Sequence, residues 1–308
     1  MYYDVKNAQQ FSGLYEHDIM LADTVRTESY HRAIARYVKE GDVVIDLGTG
    51  NGILSFFASA MRPKKIYALD HSNIIEKAQA VAGANGIANI EFVRTNSRDF
   101  NLPEGKADVI IHEQIGDILL NENMVANLID LRDRVLKPGG KIVPAKFELY
   151  VEPVQMRDER RVPFIWEQRI DGIDFAAMRE WASSLPRHYY HAPIRPSDVD
   201  HLLGEPEPVM SFDIEAMDAD GVPGRARYER TVTQPGRLDG FVLYFSVIFD
   251  DEIQFDTGPA SPQTHWGTTL LRAESQVVGE GDTIALQLII DDVTDITMWR
   301  WSHAVTSA

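Results

Sequence analysis

The sequence predicts an α/β fold in which a doubly wound parallel sheet is followed by an antiparallel, β-barrel-like domain. Three observations predict it. Strand and helix patterns alternate between residues 41 and 144, a glycine-rich turn follows the first strand, and strand patterns separated by turns dominate after Pro144. Strands that alternate with helices form parallel sheets, whereas successive strands joined by turns form antiparallel ones.

The first part of the chain is predicted to be helical to about residue 40, because apolar residues from Met20 to Tyr37 recur at approximately helical spacing. Short apolar runs then alternate with helical patterns, which we expect to form one domain over residues 1–144. The predicted strands are Val43–Ile45, Lys65–Leu69, Ile90–Arg94 and Val109–Ile111. The predicted helices are Ile53–Met61, Ile74–Gly83 and Met124–Leu136, the last closed by the turn sequence KPGG.

The second part is predicted to be a β domain over residues 145–308. Within it, residues 164–203 have helical character, which is clearest from Phe175 to Leu185, and we interpret them as an inserted arm. The predicted strands are Phe147–Val151, Val209–Ile214, Phe241–Phe249, Thr268–Leu271 and Thr283–Ile290.

The composition favours a soluble, acidic protein. Acidic residues outnumber basic ones by 47 to 30, which gives a net charge of −17. Such a field disfavours nucleic acids and anionic membranes and attracts cationic substrates. The apolar stretches are much shorter than the roughly 20 residues of a membrane span. Because the chain has no cysteine and its arm histidines lack metal-site spacing, we expect a cytoplasmic protein with no disulfide and no metal.

The glycine-rich turn is the strongest local signal. The segment VIDLGTGNGIL, residues 44–54, runs from an apolar strand through Gly48, Gly50 and Gly52 into a helix. Glycines allow a sharp turn and let a ligand lie against the backbone. The second strand ends in Asp70, where a carboxylate can accept hydrogen bonds from both ribose hydroxyls of a nucleoside. This arrangement predicts a Rossmann-like nucleoside cofactor site.

Asp46 distinguishes two classes of cofactor. A dinucleotide-binding dehydrogenase would show G-x-G-x-x-G facing a pyrophosphate, whereas this turn is G-x-G-x-G. A carboxylate two residues before the first glycine would repel a pyrophosphate, but it suits the ammonium of an amino acid moiety. S-adenosylmethionine carries that group and NAD does not, so the turn favours a methyl donor over a dehydrogenase cofactor.

Three further blocks accompany the glycine turn. They are MLADTVRT at 20–27, EQIGDILLNE at 113–122 and SPQTHW at 261–266. In their order and spacing the four blocks resemble the class I S-adenosylmethionine-dependent methyltransferases and, within them, the protein arginine methyltransferases. The resemblance extends from about Tyr15 to about Ile290 and implies a methyltransferase domain followed by a β-barrel-like domain with a helical dimerisation arm.

The resemblance implies a set of cofactor contacts. Arg26 would pair with the methionine carboxylate of S-adenosylmethionine, since the arginine fork binds carboxylates bidentately. Met20 and His17 match positions near the cofactor and the acceptor, and Ser97 or a neighbour would contact the adenine. The remaining implied cofactor residues are Asp46, Gly48, Gly50, Gly52 and Asp70.

The resemblance also implies the acceptor site. Glu113 and Glu122 would hold the planar guanidinium of arginine and align its nitrogen with the methyl group, and S-adenosylhomocysteine would be the product. The proton route stays open between Glu122 itself and the pair Asp23–His265. Trp266 is expected to form a pocket wall. The partners implied are an arginine-containing protein or peptide, or free arginine, and a second copy of the chain bound through the arm.

Some positions depart from the family pattern. The stretch at 7–11 retains only Phe11 of the family's aromatic motif, and Arg98 stands where an adenine-contacting acid is frequent. Gln114 and Asp117 replace bulky aromatics in the block at 113–122, and Asp117 could bind the α-ammonium of a free amino acid. The alternatives are therefore a methyltransferase for another small amine or hydroxyl compound, and a catalytically silent scaffold relative.

Overall fold

The computed structural model describes residues 13–103, 105–218 and 221–308. The stretch 7–11 compared above lies outside these ranges. The five α-helices within the described part are α1 (Leu14–Ala22), α2 (Thr24–Tyr37), α3 (Ile53–Ala60), α4 (Ile74–Ala84) and α5 (Met124–Val135). None of the helices in this part of the chain is long and apolar enough to cross a membrane.

A parallel sheet of five strands forms the first half of the protein. Its spatial order is β3-β2-β1-β4-β5, and every pairing is parallel. The order reverses between β1 and β4, and ligands bind beyond the carboxyl ends of strands at such a switch point. The strands are β1 (Val43–Leu47), β2 (Lys65–Asp70), β3 (Ile90–Arg94), β4 (Ala107–His112) and β5 (Leu136–Val143).

The register of β1 and β4 places two predicted functional segments side by side. Leu47 is the partner of His112, so the glycine turn and Glu113 leave adjacent strand ends. Both strands are almost entirely buried, because their apolar runs are covered by helices on both faces. The predicted strands of this half are confirmed, but β5 was not predicted, since its KPGG sequence is typical of a turn.

Antiparallel sheets form the second half. The larger has the path β10-β6-β13-β15-β9, with β11 paired to β6 and β14 to β13, and a three-stranded sheet has the order β12-β16-β17. The strands of the larger sheet are β6 (Lys146–Met156), β9 (His191–Ile194), β10 (Val199–Leu202), β11 (Met210–Asp213), β13 (Gly236–Ile248), β14 (Gln254–Asp256) and β15 (Thr268–Val278). Those of the smaller sheet are β12 (Arg225–Thr231), β16 (Thr283–Ile290) and β17 (Trp299–Thr306).

The arm at 164–203 is less regular than the expected helical insertion. Its helical parts are 3₁₀ segments, of which the longest is Ala176–Ser184. This segment is preceded by a two-stranded ribbon of β7 (Arg169–Ile170) and β8 (Ile173–Asp174). The last third of the arm supplies β9 and β10 to the large sheet. Pro186, Pro193 and Pro196 interrupt the arm, and proline in a helix interior removes a hydrogen bond and clashes with the preceding turn.

One large hydrophobic cluster extends through both halves, from Tyr30 and Ile45 to Phe245 and Trp299. The parallel sheet ends at Val143 and the antiparallel sheet begins at Lys146, which is where the domain boundary was predicted. The division of the chain into 1–144 and 145–308 as separate folding units stays a prediction.

Candidate active site

The glycine turn between β1 and α3 requires its glycines. Gly48, Gly50 and Gly52 have φ values of 74°, 54° and 92°, a region that side chains rarely adopt. A Cβ at Gly52 would lie 2.6 Å from the ring of Phe56, and a Cβ at Gly50 would lie 3.1 Å from the imidazole of His17. The turn therefore presents bare backbone at the switch point, with the buried side chain of His17 directly against it.

Asp46 lies beneath this turn and is completely buried. Its Oδ2 accepts hydrogen bonds from the hydroxyls of Thr49 at 2.7 Å and Ser55 at 2.6 Å. Burial raises the pKa of Asp46 to about 6, although these hydrogen bonds oppose the rise. Its Oδ1 is buried without a hydrogen-bond partner among the described residues. A buried carboxylate oxygen in this state is suited to a cationic donor such as an ammonium group.

Asp70 ends β2 and closes the other side of the turn. Its Oδ2 accepts a hydrogen bond from the amide of Gly50 at 3.0 Å, and its Oδ1 accepts from the amide and hydroxyl of Ser72, both at 2.8 Å. Asp70 also lines a crevice at the carboxyl edge of the sheet. The crevice is lined by Leu47, Gly48, Leu69, Asp70, His71, Thr95, Asn96, Ser97, Gln114 and Asn127.

The crevice brings Gly48, Asp70 and Ser97 together, and it adds residues that sequence reasoning missed. Asn127, on α5, accepts a hydrogen bond from Arg98 at 3.2 Å and donates to Gln114 at 3.5 Å. A polar residue in a helix of mixed composition carries no sequence signal of this role. The departure at Gln114 was visible in the sequence, but its place in the crevice was not.

Arg26 and Glu113 form a buried ion pair. The Nε and Nη2 of Arg26 both donate to Oε2 of Glu113, at 3.2 and 2.7 Å, and the two side chains are only 5% and 8% exposed. Arg26 also donates from Nη1 to the carbonyl of Met20 at 3.1 Å. The residue predicted to bind the cofactor carboxylate and a residue predicted to bind the acceptor are thus in direct contact.

Glu122 lies at the other end of the loop that begins with Glu113. Burial, together with the charges of Glu113 and Asp117, raises the pKa of Glu122 to about 8. The loop between the glutamates turns tightly at Gly116, where a Cβ would collide with the side chain of Asn121. The charge of Glu113 contributes to the raised pKa of Glu122, so the two carboxylates interact electrostatically across this loop.

Asp23 and His265 join the first helices to the β domain. Asp23 accepts a hydrogen bond from the amide of Arg26 at 3.0 Å, and it therefore caps α2. Its Oδ2 accepts from the backbone amide of His265 and contacts the Nδ1 of that ring, both at 2.8 Å. Burial alone would raise the pKa of Asp23, but the hydrogen bonds from His265 and Arg26 hold it below its usual value.

Trp266 closes the site from the same loop. Its indole Nε1 donates to the carbonyl of Ile115 at 2.7 Å, and its ring stacks on Phe255. The next residue, Gly267, donates its amide to the exposed carboxylate of Asp117 at 3.2 Å. The loop at 261–267 is therefore fastened to the loop at 113–122 by two hydrogen bonds.

The predicted residues thus converge on one edge of the sheet, where the glycine turn, the two glutamates and the Asp23–His265 pair meet. Met20 contacts Arg26 through its backbone carbonyl, which accepts a hydrogen bond from the guanidinium. Within the ranges that the structure describes, no group of three or more His, Asp or Glu side chains is arranged to hold a metal ion.

Family models match both halves of the chain. Residues 145–299 match the arginine methyltransferase oligomerization subdomain, and residues 27–145 match the ribosomal protein L11 methyltransferase. The chain is 30% identical to protein arginine N-methyltransferase 1 of Dictyostelium discoideum, covering 87% of this chain and 79% of that one. It is 31% identical to protein arginine N-methyltransferase 6 of Xenopus laevis, with coverages of 91% and 84%.

Solved structures agree with these matches. Arabidopsis thaliana protein arginine methyltransferase 10 superposes with a TM-score of 0.80 at 25% identity, covering 97% of this chain and 95% of that one. The Trypanosoma brucei PRMT1 enzyme–prozyme heterotetrameric complex with AdoHcy superposes with a TM-score of 0.76 at 26% identity, with coverages of 91% and 88%. Four sequence blocks, the fold and these similarities agree, and the chain belongs to the protein arginine methyltransferase family.

Proposed function

We propose that this chain transfers a methyl group from S-adenosylmethionine to a guanidinium nitrogen of arginine, with S-adenosylhomocysteine as the product. One observation carries the proposal. Glu113 and Glu122 bracket a tight loop that leaves the carboxyl end of β4, directly beside the glycine turn. Two carboxylates so placed suit a flat cation held against a bound nucleoside donor.

The residues around the glycine turn fit the methyl donor. Gly48, Gly50 and Gly52 leave room for a ligand against the backbone. The unpartnered Oδ1 of Asp46 suits the donor's ammonium, and Arg26 carries the guanidinium that suits its carboxylate. Asp70 suits the ribose hydroxyls, and Ser97 lies in the same crevice. His17 and Met20 are assigned to the wall where donor and acceptor meet.

The acceptor carboxylates act by orientation. The bound donor supplies an activated methyl group, so the protein must present a nitrogen to it in line. Glu113 and Glu122 accept hydrogen bonds from N–H groups on the guanidinium and hold its positive charge away from the nitrogen that reacts. Trp266 limits the space beside the planar head, since its indole is fixed to the carbonyl of Ile115.

The acceptor nitrogen must lose a proton, and two routes are available to it. Glu122, whose pKa is raised to about 8, is a competent proton acceptor near neutral pH once it is ionised. The ring of His265 is fixed by the contact of its Nδ1 with Oδ2 of Asp23, which leaves its other ring nitrogen as the second candidate proton acceptor. Replacing His265 with asparagine distinguishes the routes, because turnover at saturating substrate should fall by orders of magnitude only if the imidazole takes the proton.

The acceptor is an arginine in a protein or peptide, or free arginine. Asp117 favours the second candidate, since its carboxylate is exposed at the edge of the loop that carries both glutamates. An exposed acid at that position suits the α-ammonium of an amino acid, which a residue within a peptide lacks. At about pH 9, where Glu122 is largely ionised with or without the charge of Asp117, the Asp117→Asn variant should weaken methylation of free arginine and leave methylation of a peptide nearly unchanged.

In the direct test, the protein is incubated with methyl-labelled S-adenosylmethionine and one acceptor at a time. The acceptors are free arginine, an arginine-rich peptide and a cell extract. Label on free arginine or on peptide arginine supports the proposal and names the acceptor class. Label only on another amine or on a hydroxyl compound supports the alternative methyltransferase. Adenosylhomocysteine binding measured by calorimetry tests the silent scaffold, for which weak or absent binding is expected.

The chain is further proposed to form a homodimer through its arm. The match to the oligomerization subdomain of the family supports assembly, and the arm exposes a group of large apolar side chains. They are Ile170, Ile173, Met178 and Trp181. A cytoplasmic location and the absence of nucleic-acid partners stay predictions from the composition.

A further inference from the structure

A cavity of about 850 Å³ lies between the arm and strands β15 and β17. It shares no lining residue with the cofactor crevice, and its volume is in the range of small-molecule sites. The proposed methyl transfer gives it no role. Its walls combine large aromatic rings with charged side chains. The principal ones are Phe164, Trp166, Tyr190, Arg272, Glu274, Trp299, Trp301 and His303.

The aromatic walls are preformed. Phe164 and Trp166 stack with ring centroids 4.8 Å apart and an angle of 8° between their planes. Trp299 is buried, and its indole donates to the carbonyl of Asp292 at 3.0 Å. The side chain of Trp301 is held edge-on against His191. Fixed rings of this kind favour a planar ligand, because stacking then costs little conformational entropy.

Arg272 supplies a positive charge in the cavity wall that has no ion-pair contact within the described part of the chain. Its side chain is half-buried, and its guanidinium lies over the ring of Phe164 at 4.1 Å. It donates to the carbonyls of Tyr189 and Val162, which occupies two of its five N–H groups. No carboxylate in the described part of the chain lies within 4.0 Å of it. Burial lowers the pKa of Arg272, although Tyr189 and the charge of Glu167 oppose the fall.

The acids around the cavity are already engaged. Glu274 accepts hydrogen bonds from the indole of Trp166 at 3.1 Å and from Arg179 at 2.7 Å. Glu167, which attracts Arg272 from a distance, accepts the backbone amides of Phe164 and Ser275. The unmet electrostatic requirement in this cavity is therefore for an anion.

We propose that this cavity binds a small planar organic anion of the aromatic carboxylate class, with the carboxylate on Arg272 and the ring against the indole walls. The arginine fork matches the two oxygens of a carboxylate, and the rings supply the apolar surface. Because the ligand would contact both the arm and the last strand, it would hold the arm against the β domain. The inference does not depend on methyl transfer.

Three probes that share one ring isolate the charge: indole-3-acetate, indole-3-acetamide and tryptamine. The protein contains five tryptophans, so labelling with 5-fluorotryptophan gives one fluorine signal for each. Trp166, Trp299 and Trp301 line the cavity, whereas Trp266 lies in the candidate active site. We expect indole-3-acetate to shift the three cavity signals with a Kd at least tenfold lower than that of the amide. The Trp266 signal should not shift.

Two variants complete the test. Arg272→Gln should weaken binding of indole-3-acetate about tenfold or more, and it should leave the weak binding of the amide nearly unchanged. Arg169→Gln makes the same charge change on an exposed arm residue outside the cavity and should have no effect. Retained adenosylhomocysteine binding in both variants checks the fold.

The proposal is overturned if the three probes bind equally, if only Trp266 responds, or if Arg272→Gln binds indole-3-acetate as the unaltered protein does. Absence of any cavity shift at millimolar indole-3-acetate overturns it too.

Discussion

Arg26 and Glu113 form an ion pair in which each partner is also assigned to a different ligand. Their 2.7 Å contact is almost completely shielded from solvent. Removing one partner of a buried pair leaves the other charge uncompensated, which costs about 3 kcal/mol or more. The roles proposed for Arg26 and Glu113 therefore predict that donor and acceptor binding are coupled through this ion pair.

Glu113→Gln should destabilise the free protein by about 3 kcal/mol, because Arg26 then lacks its counter-ion. Adenosylhomocysteine, which carries a carboxylate, should recover part of this loss. The melting temperature with and without the ligand measures both effects. A ligand-induced rise no larger in the variant than in the unaltered protein would contradict the coupling.

Glu122→Gln should lower turnover by orders of magnitude and leave adenosylhomocysteine affinity nearly unchanged. Glu122 is proposed to bind the acceptor, and Gln retains its size while losing the charge that would hold a guanidinium. Initial rates with labelled donor and calorimetry with adenosylhomocysteine provide the two readings. Equal losses in both would assign Glu122 to the cofactor instead.

The rate should rise with pH as Glu122 ionises. Its pKa is raised to about 8 by burial and by the charges of Glu113 and Asp117. The ionised form, which is proposed to hold the substrate, is therefore the minor form at neutral pH. A plot of kcat/KM against pH should therefore increase through about pH 8. Asp117→Asn removes one repelling charge and should move this limb to lower pH. If kcat/KM rises at the same pH in the variant, a group other than Glu122 controls the pH dependence.

Gly52→Ala should destabilise the fold by about 1–3 kcal/mol, because it places a side chain at φ 92° and a Cβ 2.6 Å from the ring of Phe56. Gly83→Ala is the matched control. Gly83 lies in α4 with open space around its Cβ position, so this exchange should stabilise the protein by about 0.5–1 kcal/mol. Urea unfolding of both variants measures the difference, and equal effects would contradict the steric argument.

Ile173→Glu should convert the proposed dimer to a monomer. Ile173 is 64% exposed in the arm, and a charge there opposes burial in an interface. Val277→Glu makes the same kind of change at a position that is 84% exposed on β15, outside the arm, and should leave assembly intact. Sedimentation velocity separates the two outcomes. Dissociation by both variants, or by neither, would argue against the arm as the contact.

The site residues that come directly after a strand could be predicted from the sequence. A β-branched run followed by glycines or by a glutamate indicates the carboxyl edge of a parallel sheet, and Gly48 and Glu113 are found there. The contact between Arg26 and Glu113 could not be predicted, because it joins segments 87 residues apart and each residue had its own separate assignment.

Other differences arise from local sequence ambiguity. Strands β12 and β17 were not predicted, because neither contains a continuous apolar run and most of their residues are exposed or only partly buried. Asn127 was missed in the crevice, since helical spacing does not indicate which polar residue faces a ligand. The arm was expected to be helical from its composition, but its prolines restrict it to short 3₁₀ turns and strands.

The hydrogen bond from the Trp266 indole to the Ile115 carbonyl has a consequence for how such enzymes diversify. The crevice proposed for the donor is lined only by residues before position 128, whereas the wall proposed to face the acceptor includes Trp266, in the loop at 261–267. Substitutions at residues 261–267 can therefore change which substrate is accepted during evolution, while the residues of the donor crevice stay the same.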